Sequence, residues 1–177
     1  MATLLLLASA ACRKEEQAVV TVAKNAANAQ LQAQANATLV DKQRASLAQI
    51  PLPTKSLYID IHDPNAWANP FLSVNASTVN LRVMMSDANP GAAGSASQSS
   101  MLRPDAARRQ ELEIRLNELP DALVALPPNA WRYGRVVALA ESPLATAKDR
   151  PAVRRNIEAA IQRLNDLGIV VEEWPTR

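Results

Sequence analysis

The residues best suited to chemistry lie in one short segment, residues 60–63, which holds the only histidine of the chain. An imidazole beside carboxylates could act in acid–base catalysis or bind a metal ion weakly. Along a strand, however, Asp60 and His62 share one face while Asp63 points to the other, and three ligands from one short segment seldom surround an ion. We therefore expect a polar strand end before the turn at Pro64, and no metal site.

Other catalytic signatures are missing from the sequence. It contains no Walker loop and no GxGxxG, HExxH or GxSxG motif. With one histidine and one cysteine, Cys12, the chain cannot build a multi-histidine zinc site, a cysteine cluster or an intramolecular disulfide. We therefore predict no cofactor and no catalytic residue, although an enzyme that uses the region of Asp60 and His62 stays an open alternative.

Aromatic side chains are scarce, and four of them are candidates for a surface that binds a partner. Such side chains carry much of the binding energy of protein interfaces. The alternative is that the same rings close the ends of an aliphatic core. Both interpretations stay open for Trp67, Trp131, Tyr133 and Trp174.

The charge of the chain argues against nucleic acid as a partner. Its 19 basic and 17 acidic side chains are interspersed and leave a formal charge of +2. Proteins that bind DNA or RNA carry a concentrated basic surface instead. We therefore expect no nucleic-acid partner.

The N-terminus carries an apolar run that ends at a cysteine. Leu4 to Leu7 are followed by small residues, then by Cys12 and the charged sequence RKEE. The run is too short to span a bilayer, which takes about 20 residues. It has the layout of a signal peptide that meets a small-residue processing site. An apolar N-terminal helix with a buried cysteine is the alternative.

Ala10-Ala11-Cys12 resembles the lipobox of bacterial lipoproteins. The resemblance implies that residues 1–11 are a signal-peptide remnant and that Cys12 carries the lipid that holds the protein to a membrane. The next residue is Arg13 rather than the Asp that retains many such proteins at the inner membrane, which favours the outer membrane. The implied location is the cell envelope, facing the periplasm, with an envelope protein or peptidoglycan as partner.

Residues 12–50 have the composition of a tether between the lipid and a folded domain. They are rich in Ala, Gln and Asn and contain no Gly or Pro, which favours a helix but offers little apolar area to bury. We expect a helical or disordered spacer. A heptad-like seam from Val19 to Ile50 raises the alternative of a weak coiled coil that makes the protein an oligomeric spacer.

Residues 51–177 should form one globular α/β domain. Strands are predicted at 57–61 and 79–85 from their alternating pattern, and a flexible surface loop at 88–102. For residues 105–119 we favour a helix. The alternative is a strand that pairs with residues 79–85, followed by a short helix at 120–126.

The last forty or so residues give the clearest pattern. The apolar run at 135–140 predicts a central strand. A helix should begin near Asp149 and Pro151 and end at Gly168, directly before a strand at 169–171. These elements form a β-α-β unit with parallel strands. The complete domain is predicted as α+β, a two-layer sandwich in the order β-β-α-β-α-β.

The sequences YGRVV at 133–137 and LNDLGI at 164–169 make residues 75–174 similar to the periplasmic domain of the ExbD/TolR family. That family's transmembrane helix with its proton-pathway aspartate is missing from this sequence. The resemblance therefore implies a shared fold and no energy transduction.

Three functions remain after these observations. The first is a non-catalytic envelope lipoprotein that binds a protein or the cell wall through the sheet edge or the tryptophan-bearing loops. The second is a small-ligand binder or enzyme near Asp60 and His62, and the third is the oligomeric spacer. A concave pocket next to His62 would favour the second function.

We predict that the wild-type protein, expressed with its native upstream start, gains the mass of acyl groups in a bacterial host and partitions into detergent. The Cys12→Ala variant should gain no acyl mass and stay in the aqueous phase, because it lacks the sulfur to which the lipid attaches. Intact-mass spectrometry and phase partitioning of both chains measure this. An unmodified wild type that stays in the aqueous phase would contradict the lipoprotein interpretation.

Overall fold

The computed structural model describes residues 5–85 and 109–175, with side chains from residue 24 onward. The chain divides into two compact units, Met1–Lys42 and Gln43–Arg177. The loop predicted at 88–102 lies outside the described residues. No helix among the described residues combines the length and the apolar character needed to cross a membrane.

The first unit lies in the long helix α1, Leu5–Leu47, which includes Cys12. Its sequence favours a helix because Ala, Gln and Lys are good helix formers and neither Gly nor Pro interrupts them. The side chains of residues 24–39 are all exposed, including Leu31 and Leu39. This part of the predicted tether is therefore a solvated helix.

The second unit is built on a five-stranded mixed sheet with the strand order β3-β2-β1-β4-β5. The pairs β1–β2 and β2–β3 are antiparallel, whereas β1–β4 and β4–β5 are parallel. The α+β class predicted from the sequence is confirmed. The elements are β1 Phe71–Val74, β2 Val79–Met84, β3 Arg109–Ile114, α2 Leu119–Val124, β4 Val136–Glu141, α3 Arg150–Asp166 and β5 Val170–Glu173.

The predicted C-terminal β-α-β unit is confirmed by β4, α3 and β5. The strands run parallel, with Val136 opposite Val170. The helix buries one stripe, which includes Val153, Ile157 and Leu164. Gly168 ends it with a φ of 74°, and the following N–H, of Ile169, donates to Leu164 O at 2.9 Å. This is the left-handed helix end that glycine favours.

The strand predicted at residues 57–61 is wrong. Lys55–Leu57 form a 3-10 helix, and the N–H groups of Tyr58 and Ile59 donate back to Lys55 O. The alternation of apolar residues predicts a strand with one buried face. Leu57 and Ile59 are instead 56% and 49% exposed and do not face a core. The first strand is Phe71–Val74 instead, a four-residue segment after Pro70.

The helix favoured at 105–119 is also wrong, and the alternative strand is confirmed. Residues 109–114 form β3, which pairs with β2 so that Ile114 lies opposite Val79 and Leu112 opposite Leu81. Helical spacing and strand alternation coexist in this segment. The hydrogen bonds to β2, distant in sequence, select the strand. The short helix follows as α2, one residue earlier than predicted.

The two faces of the sheet are covered differently. Helices α2 and α3 and the end of α1 pack on one face, in a core of aliphatic side chains such as Leu47, Leu72 and Leu139. Gln43 adds a 2.7 Å hydrogen bond from Nε2 to Asp121 Oδ1. The opposite face has no α-helix among the described residues. It is covered in part by the segment 51–70 and an aromatic cluster.

We predict that Gly134→Ala lowers the free energy of unfolding by roughly 2 to 5 kcal/mol. Gly134 has a φ of 86°, and a Cβ there would lie 2.7 Å from Leu52 O and 2.8 Å from Pro51 O. Both obstacles are backbone atoms and cannot turn away as a side chain does. Chemical denaturation of the variant measures the loss.

Gly168→Ala is the matched control. Its φ is also positive, at 74°, but the nearest atom to an added Cβ is the Arg135 side chain at 3.5 Å. It should therefore cost about 1 to 2 kcal/mol, the penalty of the left-handed backbone alone. An equal loss of unfolding free energy in both variants would show that close packing of Gly134 against residues 51–52 contributes nothing to stability.

Candidate functional site: a cleft on the helix-free face of the sheet

A cleft of about 460 Å³ lies on the face of the sheet opposite α2 and α3. Its floor is formed by alternate residues of the central strands, because side chains two positions apart point to the same face. These residues are Phe71 and Ser73 of β1, Asn80 and Arg82 of β2, and Ala140 of β4.

The walls of the cleft come from segments distant in sequence. His62 and Pro64 contribute one side, and Trp174 and Pro175 follow β5. The segment after β4 supplies Ser142, Pro143 and Leu144, and the rest of the lining is Asn75, Glu111 and Glu141. The walls therefore combine apolar side chains with polar and acidic ones, around a floor that contains hydrogen-bonding groups.

The wall that contains His62 is attached to the sheet through Asn69, which is 1% exposed. Its Nδ2 donates to Gly134 O and Val136 O, both at 2.8 Å. Its Oδ1 accepts from the N–H of Tyr133, also at 2.8 Å. One side chain thus satisfies three backbone groups of the segment that leads into β4, which fixes residues 51–70 against the sheet.

An aromatic cluster fills the space under this segment. The Trp67 ring lies 5.6 Å from Tyr58, 5.3 Å from Tyr133 and 5.4 Å from Trp174, measured between ring centroids. Its Nε1 donates to Pro70 O at 3.1 Å. These edge and tilted contacts are the favourable geometries of aromatic pairs.

The four aromatic residues singled out in the sequence are all buried. Trp67, Tyr133 and Trp174 belong to the aromatic cluster, whereas Trp131 lies in the helix-side core. Their exposed fractions range from 1% to 8%. Trp174 is the one of the four that lines the cleft. A partner surface built from all four stays a prediction.

Tyr58 adds a polar contact at the edge of the aromatic cluster. Burial raises the pKa of its hydroxyl, and the Glu172 carboxylate raises it further through its charge and a hydrogen bond. The hydroxyl therefore stays protonated at neutral pH, and the cluster holds residues 55–58 against β5.

Arg82 is the cation on the cleft floor. It is half-buried, its guanidinium carbon lies 4.6 Å from the centre of the Phe71 ring, and its Nη2 donates to Pro64 O. Burial lowers the pKa of Arg82 and the Arg109 charge lowers it further, while Glu111 and Asp63 act in the opposite direction. The guanidinium is therefore held in place by Pro64 O and the Phe71 ring.

No carboxylate forms an ion pair with Arg82 among the residues whose side chains are described. The ion pairs in that part of the chain join Arg150 to Glu141, and Arg154 to Glu158 and Glu173. On the same face of β2, Asn80 Oδ1 is buried and has no hydrogen-bond partner in the described part of the chain. Arg82 thus lines the cleft, whereas the Asn80 oxygen is closed off from solvent.

The structure separates the polar triplet of the sequence. His62 lines the cleft, with its ring centroid 6.2 Å from that of Trp174. Asp63 Oδ1 accepts from the N–H of Asn65 at 2.9 Å and so closes a turn. Asp60 is exposed and outside the lining. The described residues contain no group of three potential metal ligands.

Sequence reasoning missed Arg82, Asn80 and Leu144 as cleft residues. Asn80 and Arg82 alternate with buried Val79, Leu81 and Val83, a pattern that ordinarily marks a solvated face. The signal that could have found them is the surplus of polar side chains on a strand that lies second from the edge of the sheet.

The rim of the cleft is apolar and open. Leu144 is 83% exposed, and its N–H donates to Ser142 Oγ at 3.3 Å. The N–H of Ser142 in turn donates to Val74 O at 2.9 Å, which attaches this segment to β1. An apolar rim above a polar floor suits an amphipathic molecule. No protein-family model, curated protein or solved structure matches this chain.

We predict that Asn69→Ala lowers the free energy of unfolding by about 3 to 5 kcal/mol, because it leaves two buried carbonyls and one N–H without partners. Asn156→Ala is the matched control. Its Nδ2 also donates to two carbonyls, Asn75 O and Ala76 O at 2.9 Å each, but at a partly exposed site.

Water can replace the Asn156 amide, so that variant should cost about 1 kcal/mol. Urea denaturation of both variants gives the comparison. A loss in Asn69→Ala no larger than in Asn156→Ala would show that the segment 51–70 is held by its aromatic packing alone.

Proposed function

We propose that this protein is a non-catalytic, lipid-anchored protein of the cell envelope that binds a small ligand in the cleft beside His62. The cleft carries the proposal. Its volume, about 460 Å³, falls in the range of roughly 300 to 1,000 Å³ that small-molecule sites occupy. Its lining combines apolar side chains with convergent polar and charged ones.

The location in the envelope is supported by the N-terminal sequence. Ala10-Ala11-Cys12 resembles a lipobox, and lipid on Cys12 would attach the chain to a membrane. Arg13 after the cysteine favours the outer membrane, with the globular unit facing the periplasm. The exposed side chains of residues 24–39 suit a tether in water.

A protein or peptidoglycan partner at the sheet edge is the second candidate. The observation that favours it is β3, an edge strand in which Leu112 is 54% exposed. Edge strands offer backbone groups that an extended partner can pair with. The cleft is favoured over the edge because it brings together side chains from several parts of the fold.

The binding proposal is tested with the full-length Cys12→Ala chain, which cannot be acylated at residue 12. A set of small amphipathic fragments, neutral, anionic and cationic, is titrated into the ¹⁵N-labelled protein. We expect a subset to shift amide signals at Ser73, Asn80 and Ser142, which surround the cleft.

Ala140→Phe should abolish these shifts because the new ring would occupy the cleft floor. Ala76→Phe is the matched control, since it adds the same ring at an exposed position of the β1–β2 turn, outside the lining. Shifts that scatter over the surface, or that persist in Ala140→Phe, would contradict binding in the cleft.

A further inference from the structure

The strand β3 forms one edge of the sheet. It lies beyond β2 in the strand order, and no further strand pairs with its outer side in the described part of the chain. Its register with β2 runs without a bulge from Arg109, opposite Met84, to Ile114, opposite Val79. The edge is therefore a regular row of six residues, and Pro, which would interrupt hydrogen bonding to a further strand, is absent from it.

The hydrogen-bond pattern of the sheet shows which backbone groups of β3 point outward. The N–H of Asn75 donates to Thr78 O at 2.8 Å, which makes these two residues a hydrogen-bonded pair of the antiparallel β1–β2 ladder. Such pairs alternate along a ladder, so the even-numbered residues of β2 bond to β1 and its odd-numbered residues bond to β3. In β3 the even-numbered residues then bond to β2. The N–H and C=O groups of Arg109, Glu111 and Glu113 therefore point away from the sheet.

The side chains of this edge alternate in chemistry. Glu111 and Glu113 lie opposite Arg82 and Asn80, on the cleft face of the sheet, and both glutamates are exposed. Leu112 lies between them, points to the other face and is 54% exposed. A strand added beside β3 would place one residue opposite each of these three, and opposite charges in such cross-strand pairs are favourable. The pattern that complements the edge is therefore basic–apolar–basic.

The other edge of the sheet, β5, suits a partner less well. The Val170 N–H donates to Arg135 O at 2.9 Å, so the outward backbone groups of this four-residue strand are those of Val171 and Glu173. The Glu173 carboxylate also accepts a 2.7 Å hydrogen bond from Arg154 of α3. The β3 edge is the longer of the two and offers three outward residues.

We propose that the β3 edge binds an extended segment of a partner protein with the pattern basic–apolar–basic, which adds a sixth strand to the sheet. The segment bonds to the outward N–H and C=O groups of Arg109, Glu111 and Glu113. Its basic side chains lie beside the two glutamates, and its apolar side chain packs against Leu112. This inference goes beyond ligand binding in the cleft, because the edge backbone makes the main contact.

Charge favours such a partner over a second copy of this chain. Antiparallel pairing of two β3 strands would bury Leu112 against its counterpart when the two leucines lie opposite each other. The same register places Glu111 of each copy opposite Glu113 of the other. Like charges directly opposite one another destabilise a sheet, whereas basic residues of a partner turn both positions into favourable pairs.

The test uses the full-length Cys12→Ala chain and the peptide acetyl-Thr-Val-Lys-Val-Lys-Val-Thr-amide. Amide hydrogen exchange is followed by NMR along β3. In the free protein the amides of Arg109, Glu111 and Glu113 should exchange fast, whereas the even-numbered residues of the strand are protected by β2. Saturating peptide should slow exchange of the three outward amides at least about tenfold.

Two modified sets of peptides separate charge from backbone pairing. A peptide with Glu in place of both Lys residues should bind at least about fivefold more weakly. A second pair carries one N-methyl group, either on the first Lys or on the central Val. Successive N–H groups of a strand point to opposite sides, so one of these two peptides should bind and the other should not. Methylation of the Lys abolishes binding if the added strand is antiparallel, and methylation of the Val does so if it is parallel.

Glu113→Lys should weaken binding of the lysine peptide about fivefold and strengthen binding of the glutamate peptide. Glu158→Lys is the matched control. It makes the same change of charge at an exposed residue of α3, away from the edge, and should leave the preference between the two peptides unchanged.

The contrary outcomes are distinct. Equal binding of the lysine and glutamate peptides would show that the partner chemistry is wrong. Binding by both N-methylated peptides, or by neither, would contradict strand addition. Protection of the outward amides that rises with protein concentration in the absence of peptide would assign the edge to a second copy. If no peptide protects these amides, the edge proposal is overturned, while the fragment shifts at Ser73 and Ser142 still decide binding in the cleft.

Discussion

The three hydrogen bonds of Asn69 are the constraint on which the helix-free side of the domain depends. They join the end of the segment 51–70 to the backbone from Tyr133 to Val136, where β4 begins. Arg135 N–H completes the connection by donating to Pro51 O at 2.9 Å. Gly134 allows this close approach because no Cβ stands between the two backbones. The segment is therefore held by directional bonds, which fix its register as well as its contact with the sheet.

The cleft exists because the segment 51–70 and the aromatic cluster cover only part of the helix-free face of the sheet. The aromatic cluster packs over Val136 and Ala138, near the start of β4. Further along, the floor carries the small side chains of Ser73 and Ala140, which leave room for the cleft. The helix-side core, in contrast, is closed by aliphatic side chains from three helices. Stability thus comes chiefly from one face of the sheet, and the other face can hold an open site at little cost to the fold.

The sequence predicted the elements whose signals are local. The apolar stripe of α3, its glycine end and the following strand lie within about thirty residues, so each supports the next. The strand β3 was not favoured, because its partner β2 is distant in sequence and its own residues fit a helix equally well. The 57–61 segment alternates like a strand, but no neighbouring strand pairs with it and its turns are closed by Lys55 O. Of the residues that line the cleft, His62 and Trp174 are candidates from the sequence. In the sequence, Arg82 and Asn80 resemble solvated residues, because the walls of the cleft come from segments that are distant along the chain.

Asn80 and Arg82 on the cleft floor are not placed as stability alone would favour. A chain selected for stability alone would replace Asn80 with an apolar β-branched residue, because a buried oxygen without a donor opposes folding. It would also pair a half-buried Arg82 with a nearby carboxylate. Asn80 Oδ1 nevertheless has no hydrogen-bond partner, and Arg82 forms no ion pair, among the residues whose side chains are described. Proteins tolerate such local conflicts where other parts of the fold compensate for them. The free-energy cost of these two groups is therefore offset by the rest of the fold, chiefly by packing in the helix-side core.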